Sequence, residues 1–158
     1  MRVWIIGLIL LLSAAVAEAK VIVTDGDSLV VDGKKIRLIG IDSPEYDQEC
    51  QKADKSIYLC GKEASKYMKA MVKQGLERGD KLSCTAEGKD RYKRSLSICK
   101  LGAVNLNEEM VRAGWAVTYR HDMYKGAESE AKEAQRGIWQ GKFMRPELHR
   151  ILKRYKKS

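Results

Sequence analysis

Residues 21–45 read VIVTDGDSLVVDGKKIRLIGIDSPE, from Val21 to Glu45, and this stretch decides the fold. Three β-rich runs stand in it, Val21 to Val23, Ser28 to Val31 and Lys34 to Ile41, each bounded by turn residues. Asp32-Gly33 between the second and third predicts a two-residue hairpin turn, because a type I′ turn needs positive φ at both positions. Asp25-Gly26-Asp27 predicts a tighter corner or bulge between the first two. The same hairpins bring carboxylates together: Asp25, Asp27 and Asp42 fall at strand ends, and Glu45 follows Asp42 by three residues. Aspartates beside glycine also form turns for purely structural reasons, and Asp32 is read that way. The remaining four acids read equally as turn formers or as an oxygen-ligand site for a hard cation such as Ca²⁺; zinc and copper prefer nitrogen and sulfur.

Working outward, Ala64, Tyr67, Met68, Met71 and Val72 recur at helical spacing, with Gly75 or Gly79 as the stop. Lys81 to Ala86 and Arg94 to Lys100 read as two further strands around a polar turn at 88–91. A second helix is expected from Val104 to Ala113, ended by Gly114, and a third from about Asp122 to Gln135. Five strands with a helix inserted after the third, then two more helices, give an α+β class: a small closed oligonucleotide-binding-type (OB-fold-like) barrel packed by three helices. One domain is expected over residues 20–141, with Trp115 and Trp139 in its core, and a basic C-terminal helix over 142–158.

The ends of the chain carry their own signals. Arg2 precedes an apolar run from Val3 to Val16, and Ala17-Glu18-Ala19 offers a cleavage site, so residues 1–19 read as a secretory signal too short to span a bilayer comfortably. Export, to the periplasm or outside the cell, favours disulfides among Cys50, Cys60, Cys84 and Cys99; no C-x-x-C pair points to zinc. Three pairings are open to four cysteines, and the local one, 50 with 60 and 84 with 99, is expected, the second stapling neighbouring strands. The net charge is +9, of which residues 142–158 supply +6. An acidic partner is therefore expected, with bulk attraction concentrated in the tail and phosphate chemistry left to individual arginines. Leu148, Ile151, Leu152 and Tyr155 make the tail amphipathic, and docking of that apolar face with the charges outward is expected, against a contact to nucleic acid or an anionic membrane surface.

The stretch quoted above from Val23 onward, then DRYKRSLSICKLG, VNLNEEMVRAGWA and GIW, resembles the staphylococcal nuclease (thermonuclease) family over about Val21 to Trp139. DGD alone is common, but DGDS, RLIGIDSPE and D-R-Y-x-R in this order form a specific combination. The resemblance implies a calcium-dependent endonuclease that hydrolyses DNA and RNA with little sequence preference, leaving 3′-phosphate ends. It implies that Asp27, Asp42 and the carbonyl of Ser43 hold Ca²⁺, that Glu45 is the general base for the attacking water, and that Arg37 and Arg94 stabilise the phosphoryl charge. Arginine suits that task through its planar, permanently charged fork. Ser43 replaces a threonine of the family's best-known member, which leaves a carbonyl ligand unchanged. Arg91 and Tyr92 match a pair that touches a terminal phosphate, and Tyr119 matches an aromatic base platform, although Ala116 to Tyr119 is one residue short of the pattern. Lys93 departs from the glycine usual between that tyrosine and Arg94. Asp25 is implied to shape the turn or support the ligands from behind.

A catalytically silent nucleic-acid-binding barrel is the alternative, though here every key acidic and basic side chain is present; a cationic protein of the envelope or membrane surface would rest on the tail alone. The two histidines, His121 and His149, are far apart, which excludes a histidine-driven nuclease or a serine hydrolase, and both are read as surface or capping residues. A monomer with no stable protein partner is expected.

Overall fold

The structure is a computed structural model and describes residues 19–156; the expected signal segment, apart from Ala19, lies outside the described residues. Strands β1 (Val21–Asp25), β2 (Ser28–Val31) and β3 (Lys34–Leu38) form two successive antiparallel hairpins. Asp32 and Gly33 both take positive φ, 47° and 78°, as the type I′ turn requires. The β1–β2 register shifts between Val23 and Asp25, which puts the bulge at the acidic corner.

The expected third strand is shorter than its apolar pattern. Gly40, at φ 80°, breaks it, and the ring of Tyr124 packs against the glycine closely enough that a Cβ would sit 3.0 Å from it. The chain resumes as β4 (Ile41–Asp42), which leaves the main sheet and pairs with β10 (Val117–Thr118). Between residues 46 and 60, read from sequence only as a polar stretch, β5 (Glu49–Gln51) and β6 (Ile57–Leu59) form a small hairpin of their own.

Helix α1 (Cys60–Glu77) buries Ala64, Met68 and Val72, one residue per turn; Gly75 stays inside it, tight against Leu101, and Gly79 at φ 83° ends it. Strands β7 (Leu82–Lys89) and β8 (Ser95–Leu101) follow, and β8 runs parallel to β3 with Arg37 opposite Leu96. The sheet order is β1-β2-β3-β8-β7, with β9 (Val104–Asn105) on β8. Among the described residues no ladder joins β7 to β1, and the oligonucleotide-binding-type sheet expected takes the form of a curled half-barrel. Helices α2 (Leu106–Arg112) and α3 (Lys125–Glu133), a 3₁₀ turn at Gly137–Gln140, and α4 (Pro146–Tyr155) complete an α+β fold with four helices among the described residues.

The main core gathers Leu29, Leu38, Ile41, Met68, Leu106 and Met110; a smaller one holds Cys50, Cys60, Val117 and Ile138. Trp115 packs against both, and half-buried Trp139 meets Phe143 edge to face at 4.9 Å. Both disulfides follow the expected pairing, Cys50–Cys60 and Cys84–Cys99. Asn107, fully buried on α2, completes the sheet where β3 and β8 part: its Oδ1 accepts from the Cys99 N–H at 3.0 Å, and its Nδ2 donates to the carbonyls of Ile39 and Ser97 at 2.9 and 3.0 Å. No helix among the described residues is long and apolar enough to cross a membrane.

Candidate active site

The β1–β2 corner, the β2–β3 hairpin and the short β4 converge on one edge of the sheet. Asp27 is 3 % exposed and every oxygen is engaged: Oδ1 accepts from Ser28 Oγ at 2.9 Å and pairs with Arg37 Nη1 at 2.7 Å, and Oδ2 accepts from the Ser43 N–H at 3.1 Å. Arg37, opposite Ser28 in the ladder, gives its other fork nitrogen to Asp42 Oδ1 at 2.8 Å. One guanidinium thus bridges two aspartates that lie 15 residues apart in the chain. Burial opposes charge on Arg37, but Asp27 and Asp42 outweigh it and hold its pKa above the ordinary value.

Glycine is needed at two contacts that sequence reading did not single out. A Cβ on Gly26 would lie 2.1 Å from Ser43 Oγ, and that hydroxyl donates to the Trp115 carbonyl at 2.8 Å, fixing the loop that carries the Ser43 carbonyl. A Cβ on Gly61 would lie 1.7 Å from the Glu45 carbonyl oxygen, so the first turn of α1 rests directly on the backbone of Glu45. Gln48, fully buried, finishes that loop: its N–H donates to the Glu45 carbonyl at 2.7 Å, its Oε1 accepts from the Glu45 N–H at 3.3 Å, and its Nε2 reaches the Met144 carbonyl at 2.7 Å.

Arg94 enters from the turn just before β8. Asp90 accepts from its N–H and from its Nε, at 2.9 and 2.7 Å, leaving the Nη pair toward the cleft with Ser28 Oγ 3.5 Å from Nη1. Burial raises the Asp90 carboxyl, yet its bonds from Arg94 and Tyr92 hold it below the ordinary value. Lys93 takes φ 63°, so the turn keeps the left-handed backbone that glycine would favour there. Tyr92 is 64 % exposed, with the guanidinium groups of Arg91 and Arg94 at 4.8 and 5.7 Å from its ring centre.

A cleft of about 1030 Å³ brings Asp25, Asp27, Arg37, Glu45, Arg91, Tyr92, Arg94 and Tyr119 to one surface. Asp42 and Ser43 lie behind that wall, 1 % and 3 % exposed. Tyr119 is at the rim with its hydroxyl donating to Glu147 at 3.0 Å. His121 is exposed on the same rim, while His149 is half-buried with its Nε2 shielded from solvent.

The tail departs further from expectation. Helix α4 docks by its charges and leaves Leu148, Leu152 and Tyr155 exposed. Arg150 Nη1 donates to Asp42 Oδ1 at 2.9 Å and to Glu45 Oε1 at 2.8 Å, its Nη2 donates to Asp42 Oδ2 at 2.9 Å, and Lys153 pairs with Asp47. The physical reason is the acidic rim formed by Asp42, Glu45 and Asp47, which gives cations partners and offers leucines no groove. Spacing had marked Arg150 only as part of a basic face; its i, i+3 relation to Glu147 and i, i+4 relation to Pro146 gave no sign of its destination.

The donor chemistry fits a hard cation. Among the described residues no three His, Cys, Asp or Glu side chains gather at metal-binding spacing; what Asp27 and Asp42 offer are carboxylate oxygens, the donor type a hard cation takes. Asp25, beside them, is pushed up to about 6 by burial and then by the charge of Asp27, with Glu45 adding to it. Such crowding of carboxylates is relieved by a bound cation.

Residues 35–141 match the staphylococcal nuclease homologue family. A thermonuclease of Staphylococcus hyicus is 33 % identical over 128 residues, covering 74 % of this chain and 72 % of the relative. A succinoglycan biosynthesis protein of Rhizobium meliloti is 30 % identical over 128 residues, 78 % of this chain and 64 % of the relative. A probable endonuclease of Schizophyllum commune is 31 % identical over 124 residues, 66 % of this chain and 39 % of the relative. The chain therefore spans less than two thirds of the last two. The matched span takes in β3 with Arg37, the Asp42–Glu45 loop and the Asp90–Arg94 turn, and on that match the chain belongs to the staphylococcal nuclease homologue family.

Proposed function

We propose that this chain is an exported, calcium-dependent endonuclease that cuts DNA and RNA with little sequence preference and leaves 3′-phosphate ends. The observation that carries the reading is the cleft itself: Arg37 bridges Asp27 at its wall to Asp42 buried behind it, Glu45 lies at the wall, and Arg94 is aimed into it by Asp90. Thermonuclease and endonuclease are also the names of relatives. Asp27, Asp42 and the Ser43 carbonyl are the groups that would hold calcium, which supplies positive charge to the phosphoryl oxygens and acidity to the attacking water.

Glu45, half-exposed, takes a proton from the attacking water through its carboxylate. The new oxygen–phosphorus bond forms in line with the phosphorus–O5′ bond that breaks, and O5′ leaves with the electron pair and takes a proton from solvent. Arg37 and Arg94 donate to the non-bridging oxygens as charge builds on them. Arg91 and Tyr92 meet the terminal phosphate, and Tyr119 offers a ring at the cleft rim. Contacts to phosphate alone explain indifference to sequence. Both disulfides accord with an oxidising destination, periplasmic or extracellular, and the chain acts as a monomer.

Digestion of single-stranded DNA with calcium and with chelator, for wild type, Glu45→Gln and Arg94→Ala, tests the reading. Calcium-dependent cutting lost in both variants is expected. Equal cutting by all three proteins would sink the mechanism, and salt-sensitive binding without cutting would make the chain a silent nucleic-acid-binding protein.

A further inference from the structure

We propose that Arg150 is a built-in competitor of the metal, so that docking of α4 and loading of the carboxylates with a divalent cation exclude each other. The inference rests on the reading of Asp42 and Glu45 as the cation-binding and proton-accepting carboxylates. It begins with the oxygens of Asp42. Oδ1 accepts from both Arg37 and Arg150, at 2.8 and 2.9 Å, and Oδ2 accepts from Arg150 at 2.9 Å. A carboxylate bound by a bidentate fork and a second guanidinium has spent most of its acceptor capacity. A dication taking either oxygen would share it with the Arg150 guanidinium, whose charge is permanent.

The same guanidinium holds Glu45 Oε1 at 2.8 Å, so one side chain covers both the ligand and the base. Access gives an independent argument. Asp42 is 1 % exposed and does not reach the cleft wall, whereas Arg37 and Arg150, both bonded to it, do, so these two guanidinium groups cover its carboxylate.

Release of α4 gives up little apolar burial. Leu148, Leu152 and Tyr155 are 47 %, 40 % and 77 % exposed, and the helix is held by polar contacts: Glu147 to Tyr119, Arg150 to Asp42 and Glu45, and Lys153 to Asp47. Pro146, buried at its first turn, and the Gln48 bond to the Met144 carbonyl remain as the anchor about which the helix swings. Ion pairs of this kind yield to competing charge, and buried leucines would not. A cation arriving at Asp42 thereby opens the cleft wall formed by Glu147, Arg150, Ile151 and Arg154, and the apparent metal affinity is the intrinsic one reduced by the fraction of molecules with α4 released.

Two measurements on the full mature chain test this. Calcium titration by calorimetry should show Arg150→Ala binding roughly 10–100-fold more tightly than wild type, the gain expected when a 90–99 % docked competitor is removed. Hydrogen exchange of the wild type should show the amides of residues 147–156 exchanging faster with calcium than with chelator, while those of β3 and β8 slow or hold. Equal calcium affinity in both proteins, or weaker binding by Arg150→Ala, overturns the proposal and leaves the nuclease reading intact, because calcium still binds. Absence of calcium binding in both proteins overturns the two together. Should Arg150→Ala fail to fold, the wild-type exchange decides: unchanged protection of α4 on calcium addition overturns the competition.

Discussion

Substituting Gly61 by alanine should damage catalysis through the backbone of Glu45. The added methyl would sit 1.7 Å from the Glu45 carbonyl oxygen, 2.4 Å from its carbon and 2.9 Å from the Tyr46 Cα. All three neighbours are main-chain atoms, so no rotamer change relieves the contact. Cys60, one residue earlier, is tied to Cys50, which fixes the start of α1 and leaves the 45–48 turn as the part that moves. The separation must open by about 1 Å, a misplacement that costs ~100-fold in turnover when it falls on a catalytic group. Overpacking of this kind costs about 1–3 kcal/mol, a fall of roughly 3–10 °C in Tm for a domain of this size. The assay is kcat and KM on a short fluorogenic oligonucleotide in calcium, with Tm measured alongside. Gly79→Ala is the control: nothing lies within 4 Å of its Cβ, but its φ of 83° makes alanine strained, so Tm should fall by a similar amount with kcat unchanged. If Gly61→Ala loses stability and keeps its kcat, α1 does not set the position of Glu45 and the reasoning fails.

Asn107→Leu leaves the Cys99 N–H and the Ile39 carbonyl without their side-chain partner, since Ser97 alone keeps a second bond, from the Ile39 N–H. Two buried orphans at ~1–3 kcal/mol each give an expected loss of about 2–6 kcal/mol in urea denaturation, and a loss below about 1 kcal/mol would refute the assignment. Tyr67 donates to Glu109 at 3.0 Å, and burial together with that carboxylate pushes its pKa up to about 12. Because the folded value lies above the ordinary 10, its contribution is complete below pH 10 and is lost as pH rises toward 12; urea midpoints should fall less steeply over that range in Tyr67→Phe than in wild type. Opening Cys50–Cys60 by double replacement with serine removes a staple worth ~3 kcal/mol in the chain-entropy model, and because the bridge sits beside the Glu45 loop, kcat should fall along with Tm.

What was legible depended on whether the determinant was local. The Asp32-Gly33 turn, the periodicity of Ala64, Met68 and Val72, and the pairing of Cys84 with Cys99 across a hairpin are all written within a few residues of chain, and they match the structure. Lys34 to Ile41 misled because Ile39 and Ile41 carry the β-rich pattern past Gly40, while Tyr124, packed against that glycine, stands 84 residues later. The tail misled in a similar way. Its apolar stripe is a sound helical pattern, but which face docks was decided by Asp42, Glu45 and Asp47, more than 100 residues upstream. Gly61 stands in none of the quoted motifs, and Asn107, although within VNLNEEMVRAGWA, has no role written in it: one is a matter of space and the other of two strands parting, and neither condition is visible along the chain.

The parallel ladder between β3 and β8 has a temporal meaning. Arg37 lies opposite Leu96, so the strand bearing one arginine must wait for a partner made about 60 residues later, several seconds at ~5–20 residues per second of synthesis. The early hairpins can form on their own, but until β8 arrives nothing holds Arg94 beside them, and until α2 follows, Asn107 cannot join the two strands. A nascent chain therefore assembles its acidic corner first and its cleft last. Arg150 is delivered only after everything it touches has been made.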